Sequence, residues 1–235
     1  VECVSLQFGE HGWQLDMDRL LAALTPDTRL LMVNSPNNPT GWTLTKAEQQ
    51  TILDHCRQRG IWLLADDAYE RLVFDDAGVA PSFFDIAHAG DRLVSANTFS
   101  KSWLMTGWRL GWLVAPKPFI EQLGKVIEYN TSCSPVFIQR AGIAAIAHGD
   151  AVIARTQRRF REARDHLCNA LNALPGVHAP PPPGAMYAFF KVDGMTDSLA
   201  FCKRLVAAQG LGVAPGAAFG DEGEGFVRWC FASDL

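Results

Sequence analysis

Lys101 stands in the run Thr98-Phe99-Ser100-Lys101-Ser102, just past an apolar segment and ringed by hydroxyls. Most lysines occupy solvated faces. A lysine in a partly desolvated site has a lowered pKa and can form a Schiff base with a carbonyl. Eight residues on, Arg109 lies within Met105-Thr106-Gly107-Trp108-Arg109-Leu110-Gly111-Trp112. Its planar fork suits phosphate oxygens, so Thr98, Ser100 and Arg109 together would make a phosphate clamp. The segment Ala65-Asp66-Asp67-Ala68-Tyr69-Glu70 sets two acids after another apolar run. By themselves they read as a helix N-cap, as metal ligands, or as a carboxylate aimed at a cofactor cation. Ser35-Pro36-Asn37-Asn38-Pro39-Thr40-Gly41 by itself reads as a turn, because Asn, Pro and Gly are turn formers.

Taken jointly, the segments narrow the choice. An amine-reactive lysine, a phosphate clamp and an acid to pair with a pyridinium nitrogen are the requirements of pyridoxal phosphate.

These residues need a scaffold, and the pattern around them supplies one. Four short apolar runs, Leu30–Val33, Ile61–Ala65, Arg92–Asn97 and Leu110–Ala115, suit strands buried on both faces. Thr45-Lys46-Ala47-Glu48 is a capping box that opens a helix, and Gly60 stands where that helix should stop. Strand, helix, strand at this spacing predicts βαβ units and a mostly parallel sheet flanked by helices. Each chemical segment then falls past a strand, at the edge where open α/β sheets bind ligands. Pro135 to about Leu174 reads as one long helix. Its arginines at 155, 158, 159, 161 and 164 read as a solvated face mixed with Glu162 and Asp165. After four prolines at 180–183, a strand over Met186–Val192 and a helix over about Thr196–Gln209 predict a smaller α+β domain. The expected division is a partial large domain over 1–165, including the start of the long helix, and a small domain over 166–235.

Composition excludes other classes. Of 235 residues, 48% are hydrophobic and 20% charged, which is too apolar for a disordered chain. The formal charge of −4 gives no global attraction to nucleic acid or an anionic membrane, and neither partner is expected. No apolar run reaches the ~20 residues of a membrane helix, and the opening segment lacks the pattern of a secretory signal. The six cysteines show no metal-ligand spacing, so no metal site is expected and most are read as small buried hydrophobes in a reducing, cytoplasmic compartment.

The chain resembles the class I/II aminotransferases of the aspartate aminotransferase, fold type I, family. The resemblance rests on SPNNPTG, ADDAYE, TFSK and MTGWRLGW, then PPGAMYAFF near 182–190, APGAAFG at 214–220 and FVRWCFA at 226–232, in that order. It implies that Lys101 holds pyridoxal phosphate as an internal aldimine and then moves the substrate's α-proton. It implies that Asp66, rather than Asp67, pairs with the ring nitrogen, and that Tyr69 and Asn38 bond the phenolic oxygen. Thr98 and Arg109 would take the phosphate, with Ser100 assisting. Arg228 would clamp the substrate carboxylate, with Asn38 also near the substrate. The implied substrates are an amino acid and a 2-oxo acid, and the implied assembly is a homodimer. Three other readings share these motifs in part: a lyase of the same fold, the ligand-sensing domain of a transcription regulator, and a remnant without activity. The family's phosphate-cupping glycine segment and ring-stacking aromatic have no counterpart upstream of Asn38. Residues 1–235 alone are therefore expected to bind the cofactor weakly and to transfer no amino group.

Overall fold

The computed structural model describes residues 1–233. In chain order the elements are β1 (Gln7–Gly9), β2 (Gly12–Gln14), α1 (Met17–Ala23), β3 (Leu30–Asn34), α2 (Lys46–Arg59), β4 (Trp62–Asp66), β5 (Leu93–Thr98) and β6 (Gly111–Val114). Then follow α3 (Ile120–Thr131), α4 (Val136–His148), α5 (Asp150–Asn172), β7 (Val177–His178), β8 (Tyr187–Val192), α6 (Ser198–Gln209), β9 (Ala214–Pro215) and β10 (Phe226–Cys230). Packing divides the chain into two units. One holds Met17–Pro36 and Leu44–Thr156; the other holds Val1–Asp16, Asn37–Thr43 and the chain from Gln157 onward. The packing boundary falls inside α5, earlier than the sequence division at 165/166, and the opening segment packs with the C-terminal unit.

The first unit is built on a sheet of order β3-β4-β5-β6. β3, β4 and β5 are parallel, and β6 returns antiparallel beside β5. The connection between β3 and β4 is α2. Thr45 accepts from the Glu48 N–H while Glu48 bonds back to the Thr45 N–H, so the capping box forms as its sequence requires. Loss of such a cap costs about 1 kcal/mol. Gly60 ends the helix in the left-handed region at φ 66°. α2 buries Ile52, Leu53 and Cys56, and β4 buries Leu63 and Ala65, so the core lies between helix and sheet. α3 buries no residue, and Val126, Tyr129, Phe137 and Ile143 on α3 and α4 are exposed.

The long helix expected over Pro135–Leu174 is two helices. α4 and α5 meet at Gly149 with a bend of 75°. A Cβ there would overlap the Ala145 carbonyl oxygen and lie 2.6 Å from the indole nitrogen of Trp103. The position at the break therefore admits only glycine, the last turn of α4 and a side chain from a distant loop both closing on it.

The second unit carries an antiparallel sheet of order β7-β8-β10-β9. Its core gathers Phe8 and Trp13 of the β1–β2 hairpin with Phe189 and Phe226, ring centroids being 4.9–5.3 Å apart. α6 is capped by Asp197, which accepts from the Ala200 N–H at 2.8 Å.

Three cysteines, 56, 168 and 202, are buried, and three, 3, 133 and 230, are exposed, so burial holds for half rather than most. Burial pushes the Cys56 and Cys168 thiols up to about 11. The arginine run also divides: Arg155 and Arg158 are exposed, whereas Arg164 is largely covered, donating to the Pro182 carbonyl and pairing with Asp165. Among the described residues no single helix is long and apolar enough to cross a membrane, and no cluster of three metal-ligating side chains occurs.

Candidate active site

Parallel pairing brings the C-terminal ends of three strands level. Asn34 pairs with Asp66, and Asp66 pairs with Ala96. The Asn34 amide donates to the Asp66 carbonyl at 3.1 Å, tying β3 to β4 at this edge. Alternation along the strand then separates the two acids. Leu63, Ala65 and Asp67 share the buried face, while Asp66 points the other way and is half-buried. The Asp66 carboxylate accepts from the Ala68 N–H at 3.1 Å. Asp67 accepts from the Ser95 hydroxyl at 2.5 Å, and Ser95 in turn accepts from the Asn97 amide at 2.6 Å. Burial raises the Asp67 carboxyl above its ordinary range despite the Ser95 bond, and the neighbouring Asp66 charge adds to the rise. Burial also lifts Glu70 to about 7, helped by the Asp67 charge and opposed by Arg71.

β5 delivers Thr98 to the same edge. The Thr98 hydroxyl accepts from the Ser100 N–H at 3.0 Å and donates to the Leu110 carbonyl at 3.3 Å. Thr98 also pairs with Gly111, so the chain returns and brings the Arg109 segment beside Thr98 and Phe99. Arg109 adopts the left-handed conformation at φ 52°, which few side chains do, and is exposed. Its guanidinium donates to the Thr106 carbonyl at 3.0 Å. Between these points stands Lys101, half-buried, with its Nζ 5.8 Å from the centroid of the buried Tyr69 ring. Two side chains from separate segments thus meet within one unit.

The other unit holds the remaining candidates. The loop over 37–43 is closed by its own bonds: Asn37 N–H to the Trp42 carbonyl at 2.8 Å, and the Thr40 hydroxyl to the Asn37 side chain at 2.7 Å. Gly41 has φ 71°, and a Cβ there would meet the Gly184 carbonyl at 2.6 Å. Only glycine fits this approach. Arg228 of β10 donates to the Asn38 side-chain oxygen at 2.9 Å. Its guanidinium lies 4.4 Å from the Tyr187 ring centroid and 4.7 Å from that of Phe219. Tyr187 and Phe219 were not singled out from sequence, although each sits in a matched segment, PPGAMYAFF and APGAAFG. Arg71 and Trp103 were missed as well; each stands two residues past a candidate, Tyr69 and Lys101.

The donor set fits pyridoxal phosphate feature by feature. An amine, a carboxylate, a phenol, two hydroxyls and a guanidinium match an aldehyde, a ring nitrogen, a phenolic oxygen and a phosphate, and all six sit at one sheet edge of one unit. The fold is an α/β sheet with these residues at the C-terminal ends of its parallel strands or in the loops beside them. A family model described as aminotransferase class I and II matches residues 2–234, and the chain belongs to that family. It is 34% identical over 230 residues to an aspartate aminotransferase of Musicola paradisiaca, covering 96% of this chain and 57% of that protein. It is 31% identical over 221 residues to an arginine–pyruvate transaminase of Pseudomonas aeruginosa, covering 93% of this chain and 56% of that one. Among solved structures, an aromatic aminotransferase from Pyrococcus horikoshii superposes with a TM-score of 0.86 at 33% identity, covering 94% of this chain and 60% of that one. The chain thus spans somewhat more than half the length of the relatives it matches.

Proposed function

We propose that the intact protein is a pyridoxal-phosphate-dependent aminotransferase that moves an amino group between an amino acid and a 2-oxo acid. The observation that carries the reading is the meeting of Lys101 with Tyr69 beside the strand end that bears Asp66. The bound cofactor would supply an electron-withdrawing ring that makes the substrate's α-proton acidic. Lys101 provides the amine that tethers the cofactor, and afterwards the base that moves that proton. Asp66 holds a proton at the ring nitrogen by charge pairing. Tyr69 bonds the phenolic oxygen. Thr98, Ser100 and Arg109 take the phosphate, Arg109 through its fork. Arg228, already oriented by Asn38 and two aromatic rings, takes the substrate α-carboxylate. A homodimer completes the reading, supported by the uncovered apolar side chains of α3 and α4, and a cytoplasmic location belongs to the same proposal.

The intact protein, supplied with pyridoxal phosphate, should convert amino acid and 2-oxo acid pairs by keto-acid-dependent transfer. Release of ammonia and pyruvate without a 2-oxo acid would instead make it a lyase.

A further inference from the structure

We propose that Arg71 and Trp103 are positioning residues that fix Tyr69 and Lys101 against a single point, the α4–α5 junction. The proposal rests on the reading of Tyr69 and Lys101 as cofactor contacts. Both loops leave the sheet edge, and the nearest candidate in each is two residues away. Trp103 donates from its indole N–H to the Ala145 carbonyl at 3.0 Å, in the last turn of α4. The same ring occupies the space above Gly149, where a Cβ would lie 2.6 and 2.7 Å from indole atoms. Arg71 reaches the same place from the other loop. Its guanidinium lies 5.9 Å from the Trp103 ring centroid and donates to the Asp150 carboxylate at 3.1 Å, at the first residue of α5.

The small residues of α4 extend the seat. A Cβ at Gly142 would meet Leu110 Cδ2 at 2.6 Å and the Phe99 ring at 3.3 Å. Phe99 and Trp103 in turn pack with Trp112, ring centroids being 4.9–6.2 Å apart. The lysine loop therefore lies against a face where residues 142 and 149 are glycines whose Cβ atoms would collide with Leu110 or with Trp103. The contributions differ in size. Asp150 is 83% exposed at its side chain, so its ion pair adds little to stability. Its role is to orient Arg71, whereas the packed indole holds the loop. Contacts two residues beyond Tyr69 and Lys101 thus help to hold the 5.8 Å between them.

Reciprocal substitution tests the link. In the intact apo-protein, Trp103→Phe removes the indole donor but keeps an aromatic ring, and Arg71→Ala removes the other arm. Hydrogen exchange read by mass spectrometry should show Trp103→Phe accelerating the 66–72 segment as well as its own, and Arg71→Ala accelerating 98–104, each at least fivefold. The α2 segment, 46–59, should stay unchanged. Arg71→Lys, which keeps the charge for Asp150, should restore most of the protection. Acceleration confined to the substituted segment would overturn the proposal, whether or not the protein takes a cofactor. In cofactor-loaded protein the pH midpoint of the visible band should move by at least half a unit in Trp103→Phe at unchanged loading. A midpoint that stays fixed while only thermal stability falls would reduce Trp103 to a packing residue. Failure of the unsubstituted protein to load would count against the proposed function alone, because the exchange experiment needs no cofactor.

Discussion

Arg228 and Asn38 stand 190 residues apart in sequence and meet at 2.9 Å. Asn38 accepts from one N–H of the guanidinium, and Tyr187 and Phe219 flank the group. An arginine held in this way keeps its fork in one orientation, so little freedom is lost when a carboxylate binds. Arg228→Lys keeps the charge and loses the fork. A charge-assisted hydrogen bond is worth about 1.5–3 kcal/mol, so kcat/KM should fall by roughly ten- to a hundredfold. Every amino acid carries the α-carboxylate, so the loss should be similar across substrates. A loss restricted to acidic substrates would show that Arg228 reads a side chain instead.

The two adjacent acids should separate cleanly on substitution. Asp66 is half-buried at the ligand edge, whereas Asp67 is buried and bonded to Ser95. Asp66→Asn removes the charge proposed to hold a proton on the ring nitrogen. Turnover should fall by about 3 kcal/mol of barrier, on the order of a hundredfold, given that ~1.4 kcal/mol is tenfold. Asp67→Asn still presents an oxygen to the Ser95 hydroxyl, and its turnover should stay within about tenfold. Steady-state kinetics of the two variants checks the ranking, and the reverse order would refute the assignment.

Glu70 gives a pH signature. Its ordinary value of 4.5 is raised to about 7 in the fold. Between those values the folded protein keeps a proton that the unfolded chain has released. Unfolding then loses protons, so stability falls as pH rises from about 4.5 to 7 and is level above that. Glu70→Gln removes the titration. The melting temperature of the variant minus that of the unsubstituted protein should be near its minimum at pH 4.5, rise towards pH 7 and then plateau. A difference that stays flat with pH would show that Glu70 ionises normally.

Much of this arrangement is legible in the sequence because it is local. The capping box at Thr45–Glu48, the left-handed Gly60 and the four apolar runs each rest on residues a few positions apart. The helix cap, its stop and four strands form, but β3 and β6 leave Leu30, Met32, Leu113 and Val114 exposed rather than buried on both faces. Alternation along one strand suffices to send Asp66 and Asp67 to opposite faces. What escapes is set by partners far away in the chain. The stretch on both sides of Gly149 reads as one helix, and the Trp103 ring, with the Ala145 carbonyl, closes off the space a Cβ would need there. The placing of Trp13 against Phe189 and Phe226 likewise depends on long-range packing, which assigns the opening segment to the C-terminal unit. Tyr187 and Phe219 stand in matched segments, yet nothing in their spacing says that they flank Arg228.

The central claim is that Lys101 is the lysine that binds pyridoxal phosphate. The direct measurement is borohydride reduction of the cofactor-loaded intact protein, followed by peptide mapping by mass spectrometry. The account predicts one pyridoxyl group, on Lys101, and its loss in Lys101→Arg. Label on Lys117 or Lys125 instead, or label that survives in Lys101→Arg, would contradict it.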